Sequence, residues 1–158
     1  MRISRDQMWM EMARTASKRA TCHRLSVGAM LIHKNNVLSV GYNGPPSGEP
    51  HCEGNDCPLS DKGACTRAHH AERNAIERAP EIPNDTDAVV LYVTNSPCKD
   101  CAELIAKAGI QVVIYENPYR DTSPLDLLID KYCVTVFRLT PSGYLMNHRT
   151  GQVYDDNK

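Results

Sequence analysis

The sequence predicts an α/β domain of three layers, in which helices cover both faces of a central mixed sheet of five strands. Short apolar segments alternate with segments of helical character after an opening hairpin, and this order is typical of α/β proteins. The 158 residues are 41% hydrophobic and 23% charged, which suits one domain with one core. The later strands are expected to be parallel and joined by right-handed crossovers.

The chain opens with residues 4–19, which have helical character. Ser4 is a candidate N-cap, and Gln7 follows it at the spacing of a capping box. Met8, Met12 and Ala16 recur at i, i+4 and i+8, the spacing of one apolar face of a helix.

The other elements are predicted from short apolar runs bounded by turn residues. Strands are expected at residues 27–32, 37–42, 87–94, 111–115 and 133–139. Helices are expected at residues 69–79, 98–108 and 124–131. Cys133 lies in an apolar run, so we expect it to be a buried small hydrophobic residue.

Residues 44–68 interrupt this alternation with an insert that is rich in Gly, Pro, Asp and Cys. A loop of this length without regular structure is uncommon in a compact domain, and it is usually functional or held together internally. From Thr140 onward the chain is polar. We therefore expect a main domain at residues 1–140, which contains the insert, and a peripheral tail at residues 141–158.

Charge and composition limit the possible partners. The formal net charge is -1 and there is no long basic run, which argues against a nucleic-acid-binding protein. No stretch approaches the roughly 20 apolar residues that span a membrane, and the first residues lack the apolar stretch of a signal peptide. We expect a cytoplasmic protein that binds neither nucleic acid nor membrane. Because disulfides are rare in that compartment, the odd number of cysteines, seven, is better explained by metal ligands than by bridges.

The most informative pattern is His70-Ala71-Glu72, followed 28 residues after His70 by Cys98 and then by Cys101. A histidine and two cysteine thiolates can hold a tetrahedral zinc and leave its fourth position open for water. Cys98 and Cys101 share one face of a predicted helix, and the positive end of that helix favours thiolates. Glu72 is not a ligand in this pattern, but it can move protons for the water.

These four residues form the known signature of zinc-dependent nucleobase deaminases. In that chemistry the zinc activates a water, Glu72 accepts its proton, and the oxygen attacks the amidine-like carbon of the base, which is C4 in cytosine. Glu72 then delivers the proton to ring nitrogen N3, and a further proton transfer releases ammonia. The alternative is a closed structural zinc site with a fourth ligand from His69 or a loop cysteine, but such a site has no use for a glutamate beside its histidine.

Longer segments, from about residue 8 to residue 139, resemble the deoxycytidylate (dCMP) deaminase family of bacteria and phages. The matching segments are Val27-Gly28-Ala29, Gly41-Tyr42-Asn43-Gly44, His70-Ala71-Glu72-Arg73-Asn74-Ala75-Ile76 and Ser96-Pro97-Cys98-Lys99-Asp100-Cys101-Ala102. The resemblance implies the cytidine-deaminase-like fold and hydrolysis of dCMP to dUMP, which supplies thymidylate synthesis. It also implies a homohexamer that dCTP activates and dTTP inhibits, with Mg²⁺ accompanying the nucleoside triphosphate.

Several residues are candidates for binding the substrate and the effector. Substrate contacts are expected from Asn43, Ala71, Tyr119, Arg24 and Arg120. The resemblance implies that Asn43 bonds the sugar hydroxyl and that Tyr119 belongs to the loop that covers the substrate. The two arginines are chosen for the phosphate, because a guanidinium can pair with phosphate through two hydrogen bonds. The segment Tyr42-Asn43-Gly44 is associated, through the resemblance, with the regulatory nucleotide.

A second group of cysteines surrounds the insert. In the phage relatives that the chain resembles, a structural zinc uses cysteines that match Cys22 and Cys52. Cys57 and Cys65 would complete a closed site of four thiolates, which would hold the insert together. Other candidate ligands are His51 and His69. The alternative is that these are unligated loop cysteines.

Three rival functions follow from the same motifs. A tRNA adenosine deaminase would carry P-C-x-M-C-A-G-A where this chain has P-C-K-D-C-A-E, and it would need a basic surface for RNA. A DNA-acting cytidine deaminase would need aromatic stacking surfaces, whereas the chain has one Trp and one Phe. A non-catalytic, zinc-stabilised regulatory or binding subunit would have no need for Glu72.

Overall fold

The computed structural model describes residues 1–22, 24–52 and 57–155. Within these residues the helices are α1 (Arg5–Ser17), α2 (Ala71–Arg78), α3 (Lys99–Lys107) and α4 (Ser123–Tyr132). The strands are β1 (Gly28–His33), β2 (Asn36–Tyr42), β3 (Val89–Asn95), β4 (Val112–Asn117), β5 (Thr135–Leu139), β6 (Leu145–Asn147) and β7 (Val153–Tyr154). None of the described helices is long and apolar enough to cross a membrane.

In the part of the chain that the structure describes, seven strands form a mixed sheet in the order β2-β1-β3-β4-β5-β6-β7. β1 is antiparallel to both β2 and β3, whereas β3, β4 and β5 are parallel neighbours. The predicted mixed sheet with parallel later strands is confirmed. The predicted number of five strands is wrong, because β6 and β7 extend the sheet beyond β5. Both are short and at least partly exposed, so they lack the apolar run on which the prediction depended.

Helices cover both faces of the sheet, as the fold class predicted. One apolar cluster joins the sheet to α2, α3 and α4, and its helical members include Ala75, Ile105 and Leu128. The other cluster joins the opposite face to α1 through Trp9 and Met10. Buried apolar surface on both faces is the main stabilising contribution in such a layered fold.

Helix α1 begins with the predicted capping box, but it packs on the core through a different face. The Gln7 amide donates to Ser4 Oγ at 3.1 Å, and the Ser4 amide donates to Gln7 Oε1 at 2.9 Å. Met8 and Met12 are 37% and 41% exposed, so the face with this spacing is not the one that packs on the core. The buried hydrophobic residues are Trp9, Met10 and Ala13. Apolar residues lie on both sides of this helix, and spacing alone does not select the side that meets the sheet.

Cys133 is exposed, which corrects the prediction that it is buried. It is the C-cap residue of α4 and has a left-handed backbone, with φ of 56°. The next amide, of Val134, donates to Leu128 O at 3.0 Å and closes the helix end. The apolar run therefore contains a helix end as well as a strand, and Cys133 lies at the turn between them.

Two features bring the start of α2 and the ends of the insert to one edge of the sheet. A Cβ atom on Gly41 would lie 2.2 Å from Ala71 O, so glycine lets α2 pack directly on β2. The amides and carbonyls of Gly44 and His69 bond each other at 3.0 and 2.9 Å. The insert therefore leaves and returns at the same place, immediately before α2.

Candidate active site

The candidate site forms where two helices begin side by side. His70 is the N-cap residue of α2, which follows the insert. Cys98 is the N-cap residue of α3, which follows β3 through Ser96 and Pro97. β3 has a parallel neighbour in β4, and the carboxyl ends of such strands are where α/β sheets build their sites. Both helices also direct unpaired backbone N–H groups towards this point.

The three predicted zinc ligands lie together at these helix starts. His70 Nδ1 is 3.4 Å from Cys98 Sγ and 3.3 Å from Cys101 Sγ. Zn–N and Zn–S bonds of ordinary length at a tetrahedral angle would separate such atoms by about 3.6 Å. These atoms form one of the His, Cys, Asp and Glu clusters that could hold a metal among the described residues. The donor set and its spacing therefore fit zinc with a further position left for water.

The proximity of these groups sets their protonation. The neighbouring Cys101 thiol, and after it the His70 ring, lower the pKa of Cys98 to about 4 against the opposing effect of burial. The Cys98 thiolate raises the pKa of His70 to about 9. The hydrogen bond to Cys98, together with burial, raises the pKa of Cys101. A dication held by these three atoms would displace the remaining protons, so metal binding here is expected to release protons.

Glu72 lies beside this cluster without belonging to it. The residue is 3% exposed, in the first turn of α2, and it is not among the clustered metal-ligating groups of the described residues. Burial raises the pKa of its carboxyl to about 7, against the opposing charge of His70. A carboxyl with a pKa near 7 can both accept and donate a proton at neutral pH.

His70 and Cys98 of the cluster, together with Glu72, line a cleft of about 490 Å³, a volume within the range of small-molecule sites. Its wall includes all five residues that the sequence assigned to the substrate. The predicted site residues that line it are Cys22, Arg24, Asn43, Cys65, His70, Ala71, Glu72, Cys98, Tyr119 and Arg120. Apolar wall is added by Leu25, Val27, Ala64 and Ala68.

Asn43 is buried, and its amide holds the segment that forms one wall of the cleft. Asn43 Oδ1 accepts from the Val27 amide at 2.7 Å, and Nδ2 donates to Leu25 O at 2.6 Å. A primary amide has a second donor and a second lone pair, so these bonds leave capacity for a ligand. Asn43 therefore combines a structural role with a position on the cleft wall.

Three further candidates for substrate contact have distinct surroundings. The Arg24 guanidinium donates to the carbonyl of Gly63, which ties residue 24 to the insert. Arg120 lines the cleft next to Tyr119. The Tyr119 amide donates to Ser96 Oγ at 2.8 Å. Burial, and then the neighbouring Glu72 carboxylate, raise the pKa of Tyr119 to about 12, so its phenol stays protonated at neutral pH.

Tyr42 and Gly44, the predicted effector residues beside Asn43, do not line this cleft. The Asn74 side chain donates to Tyr42 O at 2.8 Å and to Gly44 O at 3.3 Å, which fixes their backbone against α2. The Arg78 guanidinium lies 4.8 Å from the centre of the Tyr42 ring. Asn43 therefore lines the cleft, whereas the Tyr42 ring lies outside it and contacts the Arg78 guanidinium.

Three of the four predicted ligands of a second zinc form a second cluster. The Sγ atoms of Cys52, Cys57 and Cys65 all lie within 4.8 Å of one another. Cys52 Sγ and Cys65 Sγ are 4.0 Å apart, close to the roughly 3.8 Å expected for two thiolates on a tetrahedral zinc. Residues 53–56, between the first two cysteines, lie outside the described residues. Cys65 also lines the cleft, so this cluster adjoins the candidate site.

The remaining candidates for that second site are placed differently. Cys22 lines the cleft and is not part of the cluster formed by the described residues. His69 Nδ1 lies 3.5 Å from a carboxylate oxygen of Glu77, a weak ion-pair contact rather than a hydrogen bond. The carbonyl of His51 accepts from Arg67 at 3.3 Å, and its ring is not in the cluster either.

The sequence interpretation missed the apolar cleft residues Leu25 and Val27 as site residues. Residues 24–27 form neither helix nor strand, so no periodic pattern marks them. The signal that could have indicated them is Asn43, because a buried amide at the end of a strand must bond nearby backbone groups. Ser96 was also missed, although it directly precedes the Pro97-Cys98 motif.

A family model described as the zinc-binding region of cytidine and deoxycytidylate deaminases matches residues 3–117. The chain belongs to this family. The match includes His70, Glu72, Cys98 and Cys101, and it confirms the predicted resemblance and the prediction of a zinc-dependent deaminase.

Relatives in bacteria and phages agree with this membership. ComE operon protein 2 of Bacillus subtilis (strain 168) is 37% identical over 135 residues, which cover 85% of this chain and 71% of the relative. The deoxycytidylate deaminase of Mycobacterium phage D29 is 36% identical over 122 residues, which cover 70% of this chain and 92% of the relative.

A solved structure shows the same fold. The crystal structure of the dCMP deaminase from the cyanophage S-TIM5, in complex with dCMP and dUMP, matches with a TM-score of 0.72 and 33% identity. The match covers 87% of this chain and 98% of the cyanophage chain. The predicted three-layer cytidine-deaminase-like fold is therefore confirmed.

Proposed function

We propose that this deaminase hydrolyses dCMP to dUMP and ammonia and so supplies dUMP for thymidylate synthesis. The observation that carries the proposal is the buried carboxyl of Glu72 beside the ligand set of His70, Cys98 and Cys101, in a cleft that suits a nucleotide. Support for the substrate comes from the cyanophage relative, whose structure holds dCMP and dUMP.

The chain's own residues supply proton transfer and positioning. When bound by His70, Cys98 and Cys101, zinc supplies a water of lowered pKa as the nucleophile. Glu72 accepts a proton from this water on a carboxyl oxygen and returns it to N3 of the cytosine ring. C4 forms a bond to the water oxygen, and the second proton of that oxygen is transferred to the amino group. The C4–N bond then breaks and ammonia leaves, so dCMP and water give dUMP and ammonia. Closure of the cleft by Tyr119 would keep bulk water from the base.

The cleft wall divides into regions for the parts of the nucleotide. Asn43 keeps an unused donor and lone pair for the sugar hydroxyl, and Ala71 lies next to Glu72 where the base would meet the metal centre. Arg24 and Arg120 are the arginines of the lining, which supports their assignment to the phosphate. Tyr119 adjoins Arg120 and would contact the base or sugar from above.

A second structural zinc is proposed for the cysteine cluster of the insert. The distance between Cys52 Sγ and Cys65 Sγ, and the proximity of Cys57, support it. The cluster needs one more ligand, for which Cys22 is the candidate that lines the adjoining cleft. Such a site would tie the insert together close to the substrate.

Regulation is proposed at the segment Tyr42-Asn43-Gly44. dCTP with Mg²⁺ would activate and dTTP would inhibit, within a homohexamer. Support comes from the position of Asn43, because it belongs to this segment and also lines the cleft. A ligand that moved the segment would move Asn43, and with it the backbone of Leu25 and Val27. That connection gives an effector a physical route to the substrate site.

Assays with four substrates test these proposals together. We expect ammonia release from dCMP in preference to CMP, dCTP and deoxycytidine, with activation by added dCTP and inhibition by added dTTP. A preference for deoxycytidine would overturn the nucleotide assignment. Rates that respond to neither triphosphate would overturn the regulatory proposal and leave the catalytic one intact.

A further inference from the structure

Ser96 connects the metal-ligand segment to the loop that carries Tyr119. It lies between the end of β3 and the Pro97-Cys98 step, and it is 0% exposed. Its Oγ accepts from the Tyr119 amide at 2.8 Å, and its own amide donates to Asn117 O at 2.9 Å. Two polar groups of one buried residue therefore hold both ends of the short segment 117–119.

The rest of this attachment comes from the same strand. Asn117 Nδ2 donates to Thr94 O at 3.0 Å, so the start of the loop is fixed to β3 as well. Beyond this point Tyr119 and Arg120 are exposed at the mouth of the cleft. The bond from the Tyr119 amide to Ser96 Oγ therefore attaches the loop to the protein at the point where Tyr119 and Arg120 line the cleft.

We propose that Ser96 is a positioning residue, which holds Tyr119 over the cleft at a fixed distance from Cys98. Ser96 is two residues before Cys98, so a bond to its side chain sets the distance between the metal centre and the covering ring. The role of Tyr119 in covering the substrate rests on the proposed function. The bond itself does not depend on which substrate is used.

The competing explanation is that Ser96 only stabilises the fold, and Ser4 provides a matched control for it. Ser4 is also a buried serine whose Oγ accepts a backbone N–H, that of Gln7 at 3.1 Å, but it lies at the start of α1 and outside the cleft lining. Loss of either hydroxyl removes a hydrogen bond of the same type. Only the loss of the Ser96 hydroxyl should change substrate binding.

The test combines kinetics, zinc content and hydrogen exchange on the full chain. We expect Ser96→Ala to keep its zinc and to raise KM for dCMP about three- to tenfold, the range for one lost hydrogen bond, while kcat changes less than about twofold. In a Tyr119→Ala background the same change should leave KM unaltered, because the positioned ring is absent. Ser4→Ala should lower the melting temperature and leave KM unchanged.

An unchanged KM in Ser96→Ala, or an equal increase in the Tyr119→Ala background, overturns the proposal. If Ser96→Ala does not fold, Ser96→Cys is slightly larger and offers a weaker acceptor, so a shift of KM in the same direction is expected from it. If the wild-type chain does not turn over dCMP, the proposed function fails and hydrogen exchange decides the positioning role. The positioning role is supported if the Tyr119 amide exchanges at least about tenfold faster in Ser96→Ala than in the wild-type chain. Unchanged exchange contradicts the positioning role.

Discussion

His70 Nδ1 lies 3.3 Å from Cys101 Sγ, although the two residues are 31 positions apart in the chain. The contact exists because α2 and α3 begin at neighbouring points of the sheet, and each contributes residues from its first turn. Short motifs on separate helices thereby form one ligand set, with Glu72 buried beside it.

Removing one ligand should remove both the metal and the activity. We expect Cys101→Ala to lose the zinc of the catalytic site and to lower turnover by more than about 100-fold, since loss of even an outer partner of a metal ligand can cost up to that factor. Zinc content by mass spectrometry and ammonia release are the measurements. Cys133→Ala is the control, because Cys133 is an exposed cysteine at the end of α4. Full zinc and full activity in Cys101→Ala would refute the ligand assignment.

The cysteine cluster of the insert should bind its own zinc and support the cleft. We expect about two zinc ions per wild-type chain and about one in Cys57→Ser. KM for dCMP should rise in this variant, because Ala64, Cys65 and Ala68 of the same insert form part of the cleft wall. Only one zinc per wild-type chain would eliminate the second site, whatever the kinetics of the variant.

The phosphate assignment can be tested by comparing two substrates. Arg120→Ala should raise KM for dCMP by about tenfold or more, as expected when a hydrogen bond to a charged group is lost, and should leave KM for deoxycytidine unaltered. Arg149→Ala is a matched control, because that arginine pairs with Asp130 on α4 and does not line the cleft. An equal increase for both substrates would show that Arg120 does not contact the phosphate.

In the metal-free protein, the contribution of Glu72 to the free energy of unfolding should fall as pH rises. Its pKa is about 7 in the folded chain and about 4.5 without the protein environment, so between these values the folded state holds a proton that the unfolded state has released. The contribution to the free energy of unfolding therefore falls from about pH 4.5 to about pH 7, by about 3 kcal/mol, and is constant above that.

Glu72→Gln should remove this dependence, and chemical denaturation of both metal-free proteins at a series of pH values measures the difference. The variant is expected to gain stability relative to wild type as pH rises through this range. A difference that does not vary with pH would mean that the Glu72 carboxyl is not held in a desolvating environment.

The short motifs and the elements that carry them could be predicted from the sequence, because their information is local. Pro97 before Cys98 predicts a helix start, and a helix start directs Cys98 and Cys101 towards one point. Long-range packing limits the rest. Met8 and Met12 have the spacing of a core face, yet the sheet accepts the other side of α1. Local sequence does not distinguish these two sides.

The cleft wall was less predictable for the same reason. Leu25 and Val27 lie in an irregular segment, and their position depends on bonds to Asn43, sixteen or more residues later in the chain. The resemblance assigns Cys22 to a second zinc together with Cys52, and Cys57 was added only to complete the site. The structure groups Cys57 with Cys52 and leaves Cys22 on the cleft wall, because the insert folds back at Gly44 and His69.

The zinc content and turnover of Glu72→Gln test the assignment of the active site most directly. This variant should retain the zinc held by His70, Cys98 and Cys101, since Glu72 is not a ligand. Its kcat for dCMP should fall by about 100- to 10,000-fold, the range for loss of a general acid–base residue. Normal turnover would contradict the assignment of Glu72 as the proton carrier, and loss of the zinc would contradict its placement outside the ligand set.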